Sequence, residues 1–225
     1  MEIHDPDKMD KAKLEDVLVE LLYGAFPDLT FHGGTAIWRC YGGNRFSRDI
    51  DLYYDIGKDD REKSRKGFSK FLKDSGFVMK SSSYNRDTDT AQFLVESNKK
   101  MKIDINFRYK RGTQTEYVRV DGSKMIVLAL KPIELLEEKI MAYNDKLDNK
   151  SKFKQPEVQD LYDIYHLTTG TIKEKPPETK KRLKKLLERI RDDPPPDLRG
   201  LGSLIISGVP PTFEFMLKSI SEWIS

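Results

Sequence analysis

The sequence predicts an α/β (α+β) fold, a mixed sheet with flanking helices followed by a C-terminal helical domain. Three observations predict it. Runs with strand-like alternation sit among amphipathic helical stretches in the first half of the chain. A glycine pair, Gly33-Gly34, opens a short helix and is followed by Asp49-Ile50-Asp51 in an extended segment. Near Asp121-Gly122 the composition changes, and helical periodicity dominates the remainder of the chain. The expected division is therefore a catalytic core over residues 1–121 and a helical domain over 122–225.

The first element is an amphipathic helix from Asp7 to Gly24, with Leu14, Val17, Leu18, Leu21 and Leu22 at helical spacing. Pro27-Asp28 turns the chain into the glycine pair, and a short helix runs from Thr35 to about Tyr41. After the loop Gly42 to Phe46, the spacing predicts a strand from Asp49 to Tyr54. A basic amphipathic helix carrying Phe68, Phe71 and Leu72 spans Asp59 to Ser75 and is stopped by Gly76. Three strands are expected next, Phe77 to Tyr84, Thr90 to Glu96 and Met101 to Tyr109, with Asn98-Lys99 as a hairpin turn. Four helices complete the chain: Pro132 to Lys146, Pro156 to Thr169, Pro177 to Arg191 and Pro211 to Ile224. Pro194-Pro195-Pro196 reads as a stiff surface connector.

Composition excludes several classes. Forty basic and 37 acidic residues leave a formal charge of only +3, so no global field argues for nucleic-acid binding. A single cysteine, Cys40, excludes an internal disulfide and favours a reducing compartment. Three scattered histidines make no zinc cluster. No apolar run approaches a membrane span and the N-terminus lacks a signal-like stretch, so the expectation is a cytoplasmic protein with no membrane partner.

The chemistry concentrates around the glycine pair. In an extended segment alternate side chains share a face, so Asp49 and Asp51 point together, roughly 6.6 Å apart along the strand. Two hard oxygen ligands at that spacing suit one or two Mg²⁺ ions bridging a nucleotide's phosphates. Gly33 and Gly34 let the backbone approach those phosphates, and the helix starting near Thr35 aims its N–H groups and positive dipole end at them. Asp104, breaking the apolar alternation Ile103-Ile105, is the third carboxylate if its strand lies beside Asp49 to Tyr54. Three clustered carboxylates repel one another unless a cation sits between them. Ser47 and Arg48, with Arg45, would hold triphosphate oxygens or would simply be solvated loop groups.

The string GGTAIWRCYGGNRFSRDIDLYYD resembles the AbiEii/AbiGii-type family, nucleotidyltransferase-like toxins of abortive-infection and toxin–antitoxin systems. The resemblance runs from Phe31 to about Leu167. It implies a nucleotidyltransferase-like sheet, an NTP substrate, Mg²⁺ or Mn²⁺ at Asp49, Asp51 and Asp104, and Asp104 as base for the attacking hydroxyl. Pro132 to Ile140 resembles the family's third motif, and Gln159-Asp160-Leu161-Tyr162-Asp163 its fourth, with Gln159 where arginine is usual. From spacing alone Lys139 would be a surface residue. The resemblance instead implies that Lys139 points into the cleft and neutralises phosphate, and that Asp160 orients it or contacts the nucleotide; Asp163 is the alternative to Asp160.

The resemblance also implies an acceptor such as a transfer-RNA end and a cognate antitoxin protein. Catalytic residues are thus expected at Asp49, Asp51, Asp104, Lys139 and Asp160, and nucleotide contacts at Gly33, Gly34, Thr35, Ser47 and Arg48. The basic helix Lys180 to Arg191 would track an RNA backbone or be a solvated face. Two rival readings are a binding module that has lost catalysis and a nucleotidyltransferase acting on protein.

Overall fold

In the computed structural model, residues 3–148 and 157–225 are described. The chain divides into two compact units, one of Met1–Cys40 with Phe46–Leu130, the other of Tyr41–Arg45 with Lys131–Ser225.

The first unit is built on a seven-stranded mixed sheet of order β3-β4-β5-β2-β1-β7-β6. Its strands are β1 (Thr30–His32), β2 (Asp49–Tyr53), β3 (Val78–Asn85), β4 (Thr90–Glu96), β5 (Lys100–Asn106), β6 (Thr113–Val118) and β7 (Lys124–Ala129). β2 runs parallel to β5 and antiparallel to β1, and β1 runs parallel to β7. The alternation in β2 and β5 carries the logic of the centre: Ile50, Leu52, Ile103 and Ile105 are fully buried on one face, which leaves Asp49, Asp51, Lys102 and Asp104 on the other.

Three strands are not assigned by the sequence pattern. β1 was not foreseen, because three residues are too few to show alternation. β6 and β7 flank Asp121-Gly122, in stretches to which the sequence pattern gives no element. That dipeptide is instead the turn of their hairpin, with Gly122 at φ +86°. The boundary between units therefore lies at Leu130/Lys131, because β7 belongs to the sheet.

Helix α1 (Pro6–Ala25) is capped by the Asp5 carboxylate, which accepts from the Asp7 and Lys8 amides. Its inner face differs from the expected stripe. Leu14, Leu18 and Leu22 are buried, Val17 is exposed, and Glu15 and Asp16 turn inward. They turn inward to meet Arg39, from α2 (Gly33–Cys40), whose Nε lies 2.7 Å from Glu15 Oε1 and whose Nη2 lies 2.9 Å from Asp16 Oδ1. The Tyr117 hydroxyl donates toward both carboxylates at 2.9 Å, and the guanidinium stacks on Trp38 at 3.9 Å. Burial raises the Glu15 carboxyl above its ordinary value even against Arg39. Helix α3 (Arg61–Asp74) packs Phe68 and Leu72 inward and ends at Gly76, φ +90°.

In the second unit, α4 (Pro132–Asp148), α5 (Val158–His166), α6 (Pro177–Asp192) and α7 (Phe213–Ile224) bury Leu135, Ile140, Leu161, Leu183, Leu186 and Ile220. α5 runs on into a π-helical turn, Leu167–Thr171. The start expected for it at Pro156 lies outside the described residues. The proline run after α6 exposes Pro194 and Pro196 and buries Pro195. Residues Tyr41–Arg45 join this unit as a strap: Arg45 bridges Ile205, the Asn44 carbonyl accepts from Ile206 N at 3.0 Å, and His166 Nε2 lies 3.0 Å from the Tyr41 carbonyl.

Removing the buried cation of the α1–α2 junction leaves two carboxylates facing each other without it. Arg39→Met is expected to destabilise the protein by about 3–5 kcal/mol, read from urea unfolding followed by tryptophan fluorescence.

Candidate active site

Register decides what the acidic residues can do together. Asp51 is the direct partner of Asp104 across the parallel β2–β5 pair, and Asp49 is the partner of Lys102. All four side chains share the sheet face opposite the isoleucines. The expected meeting of Asp104 with Asp49 and Asp51 on one face is thus built into the ladder. Like charges gathered in partial burial resist ionisation: burial first, then Asp51 and Asp104, hold the Asp49 carboxyl above its ordinary 3.8, against the opposing pull of Lys102 and Arg48.

The glycine turn meets this cluster. β1 pairs His32 with Asp51, and Gly33 comes next at φ +69°, the left-handed region where glycine is favoured. A Cβ on Gly33 would stand 2.3 Å from Asp51 Oδ2 and would force that carboxylate to move, on top of the strain of the positive φ. The helix begins at Gly33 rather than near Thr35, and its first-turn N–H groups lack intrahelical acceptors. Gly34 is buried within it. Thr35, expected at a phosphate, has a partner within the first unit. It is fully buried and donates its hydroxyl to the Asp49 carbonyl at 2.5 Å, which ties the helix start to β2. Ser47 is buried, whereas Arg48 is exposed and close enough to Asp49 for its charge to be felt. His32 stacks on Tyr53 with ring centroids 3.9 Å apart.

The residues present suit a hard divalent cation. The donors are carboxylate oxygens, and Asp104 Oδ1 is buried without a hydrogen-bond partner among the described residues. Asp104 Oδ2 accepts from Lys102 Nζ at 2.6 Å. Among the described residues no three His, Cys, Asp or Glu side chains are gathered on one point, so an ion would draw on Asp49 and Asp51 with Asp104 turning toward it.

Lys102 was missed in the sequence. The signal was there, since Lys102-Ile103-Asp104 alternates as Asp49-Ile50-Asp51 does and puts the lysine on the carboxylates' face.

A second cluster of charges lies in the helical unit. Lys139 is not the surface residue its spacing suggests. Its ammonium lies 2.9 Å from Asp160 and 2.8 Å from Asp163, and Lys146 reaches Asp160 at 2.5 Å. Arg45 is neither a phosphate ligand nor a solvated charge here. Its Nε and Nη2 grip the two Asp163 oxygens at 2.8 Å each, a bidentate pair that anchors the strap. Burial would neutralise these groups, yet Lys139 stays charged because Asp160 and Asp163 raise it. Asp160 is held low by Lys139 and Lys146 against its burial, and Asp163 by Arg45 and Lys139. Asp160 and Asp163 thus share Lys139, and each has its own second cation. Gln159, in place of the family's arginine, bonds Glu157 instead.

The comparisons with known proteins bear on the fold and the family. The fold is similar to that of JHP933 from Helicobacter pylori, at TM-score 0.65 and 17% identity over 98% of this chain and 91% of that one. It is also similar to MenT4, a nucleotidyltransferase toxin of Mycobacterium tuberculosis H37Rv, at TM-score 0.61 and 16% identity over 97% and 84%. At these identities the likeness establishes the fold. No curated protein matches the chain in sequence. The sheet, the glycine turn and the Asp-x-Asp strand define the class, a nucleotidyltransferase fold. The chain belongs to the family described as nucleotidyl transferase AbiEii toxin, type IV toxin–antitoxin system, whose model matches residues 16–217. It is a nucleotidyltransferase. Among the described residues no helix is long and apolar enough to cross a membrane.

The Asp160 and Asp163 carboxyls sit below their ordinary 3.8, so their stabilisation is complete above that value and is lost as pH falls below it. Asp163→Asn is expected to destabilise by about 3–5 kcal/mol at pH 7 and to flatten this acid limb, measured by thermal unfolding across pH 2.5–7.

Proposed function

We propose that the protein transfers a nucleoside monophosphate from an NTP to an RNA acceptor, such as a tRNA end, with Asp49, Asp51 and Asp104 as its catalytic carboxylates and a divalent ion, Mg²⁺ or Mn²⁺, as cofactor. The observation that carries this reading is the register of β2 and β5, which places Asp51 opposite Asp104 with Asp49 on the same face, beside a glycine that only a backbone-close turn requires.

When bound, such ions neutralise the triphosphate and stabilise the departing pyrophosphate. Asp49 and Asp51 would hold them, with Asp104 completing the set. The acceptor hydroxyl forms a bond to the α-phosphorus as the bond to pyrophosphate breaks, and its proton passes to the Asp104 carboxylate. Gly33 and Gly34 present the first-turn amides of α2 to phosphate oxygens, and exposed Arg48 adds a charge to the same task. Thr35 ties the helix start to β2 through the Asp49 carbonyl, and the Ser47 hydroxyl is assigned to a phosphate oxygen beside Arg48. Lys139 is held between Asp160 and Asp163, with Asp160 fixing the side chain. RNA is favoured as acceptor by α6, where Lys181, Lys184 and Lys185 form an exposed face opposite buried Leu183 and Leu187. Family membership supports an antitoxin protein as partner.

Incubation with each labelled NTP, total RNA and Mg²⁺ distinguishes the readings. Label in RNA is the expected result, label in protein would identify a protein acceptor, and NTP binding without transfer would identify a binding module. Asp51→Asn should lower transfer by about a hundred-fold or more with an unchanged fold by circular dichroism. Undiminished transfer in that variant would remove the carboxylate assignment.

A further inference from the structure

The acidic face carries its own cation. The β5 alternation puts Lys102 on the side of Asp104, and the β2 register places it directly across from Asp49. The four side chains form two rows of two, three negative and one positive. Lys102 Nζ lies 2.6 Å from Asp104 Oδ2, and Gln92 Nε2 reaches the same oxygen at 3.5 Å. The other oxygen, Oδ1, is buried without a partner among the described residues.

One oxygen bound tightly to an ammonium is a poor donor to a divalent ion, because the two cations repel and compete for the same lone pairs. The lysine can leave. Its side chain is 40% exposed, whereas that of Asp104 is 19% exposed, and four methylenes give the ammonium room to swing into water.

We propose that Lys102 is a tethered competitor for the metal: it neutralises the carboxylate face when no ion is bound, and its ammonium must release Asp104 before a divalent ion can take that oxygen. The inference rests on the reading of Asp49, Asp51 and Asp104 as a divalent-ion site. Its consequence is a threshold. The face tolerates low divalent concentrations with its lysine in place and loads only when the ion, with its nucleotide, outcompetes it. The displaced ammonium remains at the Asp49 level of the sheet, where the same triphosphate would meet it.

The test reads binding rather than turnover. Mn²⁺ would be titrated into the whole protein without nucleotide, with free ion followed by electron paramagnetic resonance, for wild type, Lys102→Met and Lys102→Gln. Gln keeps a polar stem and serves if Met fails to fold. Both variants are expected to bind Mn²⁺ roughly five-fold more tightly, the scale of one partly exposed ion pair. They should also melt at lower temperature without metal and gain more from Mn²⁺ than wild type does. Binding that is equal or weaker in the variants, with wild type binding Mn²⁺ normally, would overturn the competition while leaving the metal site standing. Absence of Mn²⁺ binding in all three proteins would overturn both.

Discussion

The arrangement depends on one constraint, the parallel register that sets Asp51 opposite Asp104. Nothing about three carboxylates in partial burial is favourable in itself, as the raised Asp49 carboxyl shows. The cost is met on the other side of the same two strands. Ile50, Leu52, Ile103 and Ile105 are all removed from water, and a slip of one residue would exchange them with the carboxylates. The apolar face therefore holds the register that gathers the carboxylates on the polar face. Gly33 adds a second lock, since its turn approaches Asp51 so closely that a side chain there would force the carboxylate to move.

Where residues carry their information in alternation, the sequence was legible. β2, β4 and the β4–β5 turn fall where the pattern places them, and so does the common face of Asp49, Asp51 and Asp104. β1 was not legible because its three residues owe their extended state to neighbours on both sides, β2 and β7, rather than to their own pattern. β7 was left unassigned for a related reason: Met125 to Ala129 is a short apolar run of a length that fits a buried strand or a helix equally.

Buried charge was the larger blind spot. Glu15, Asp16, Arg39, Arg45 and Lys139 all look like surface residues by type, and each is buried only because a partner distant in sequence is buried with it. Helical periodicity could not find them. It assigns polar residues outward, which is why Val17 was placed inside and Glu15 outside. The family resemblance did better for Lys139, because motif similarity carries information about long-range pairing that spacing lacks. It did not anticipate that Arg45 would pair with Asp163, which makes Asp163 an anchor for the strap as much as a neighbour of Lys139.

The two charge clusters make a useful contrast. In the helical unit the three cations Arg45, Lys139 and Lys146 meet the three carboxylates Asp160, Asp163 and, from Lys146 at 3.4 Å, Glu157, and Lys139, Asp160 and Asp163 stay ionised despite their burial. Such a cluster is a rigid fixture, because moving any one member strands another in a medium that solvates it poorly. On the sheet face the sums are unequal: three carboxylates meet one lysine, and that lysine is half in water. An excess of negative charge held in place by a rigid apolar face is a surface that gains stability by acquiring a cation. The imbalance is what distinguishes the sheet face from the helical cluster, and it exists because the strand pairing is fixed from behind by four aliphatic side chains.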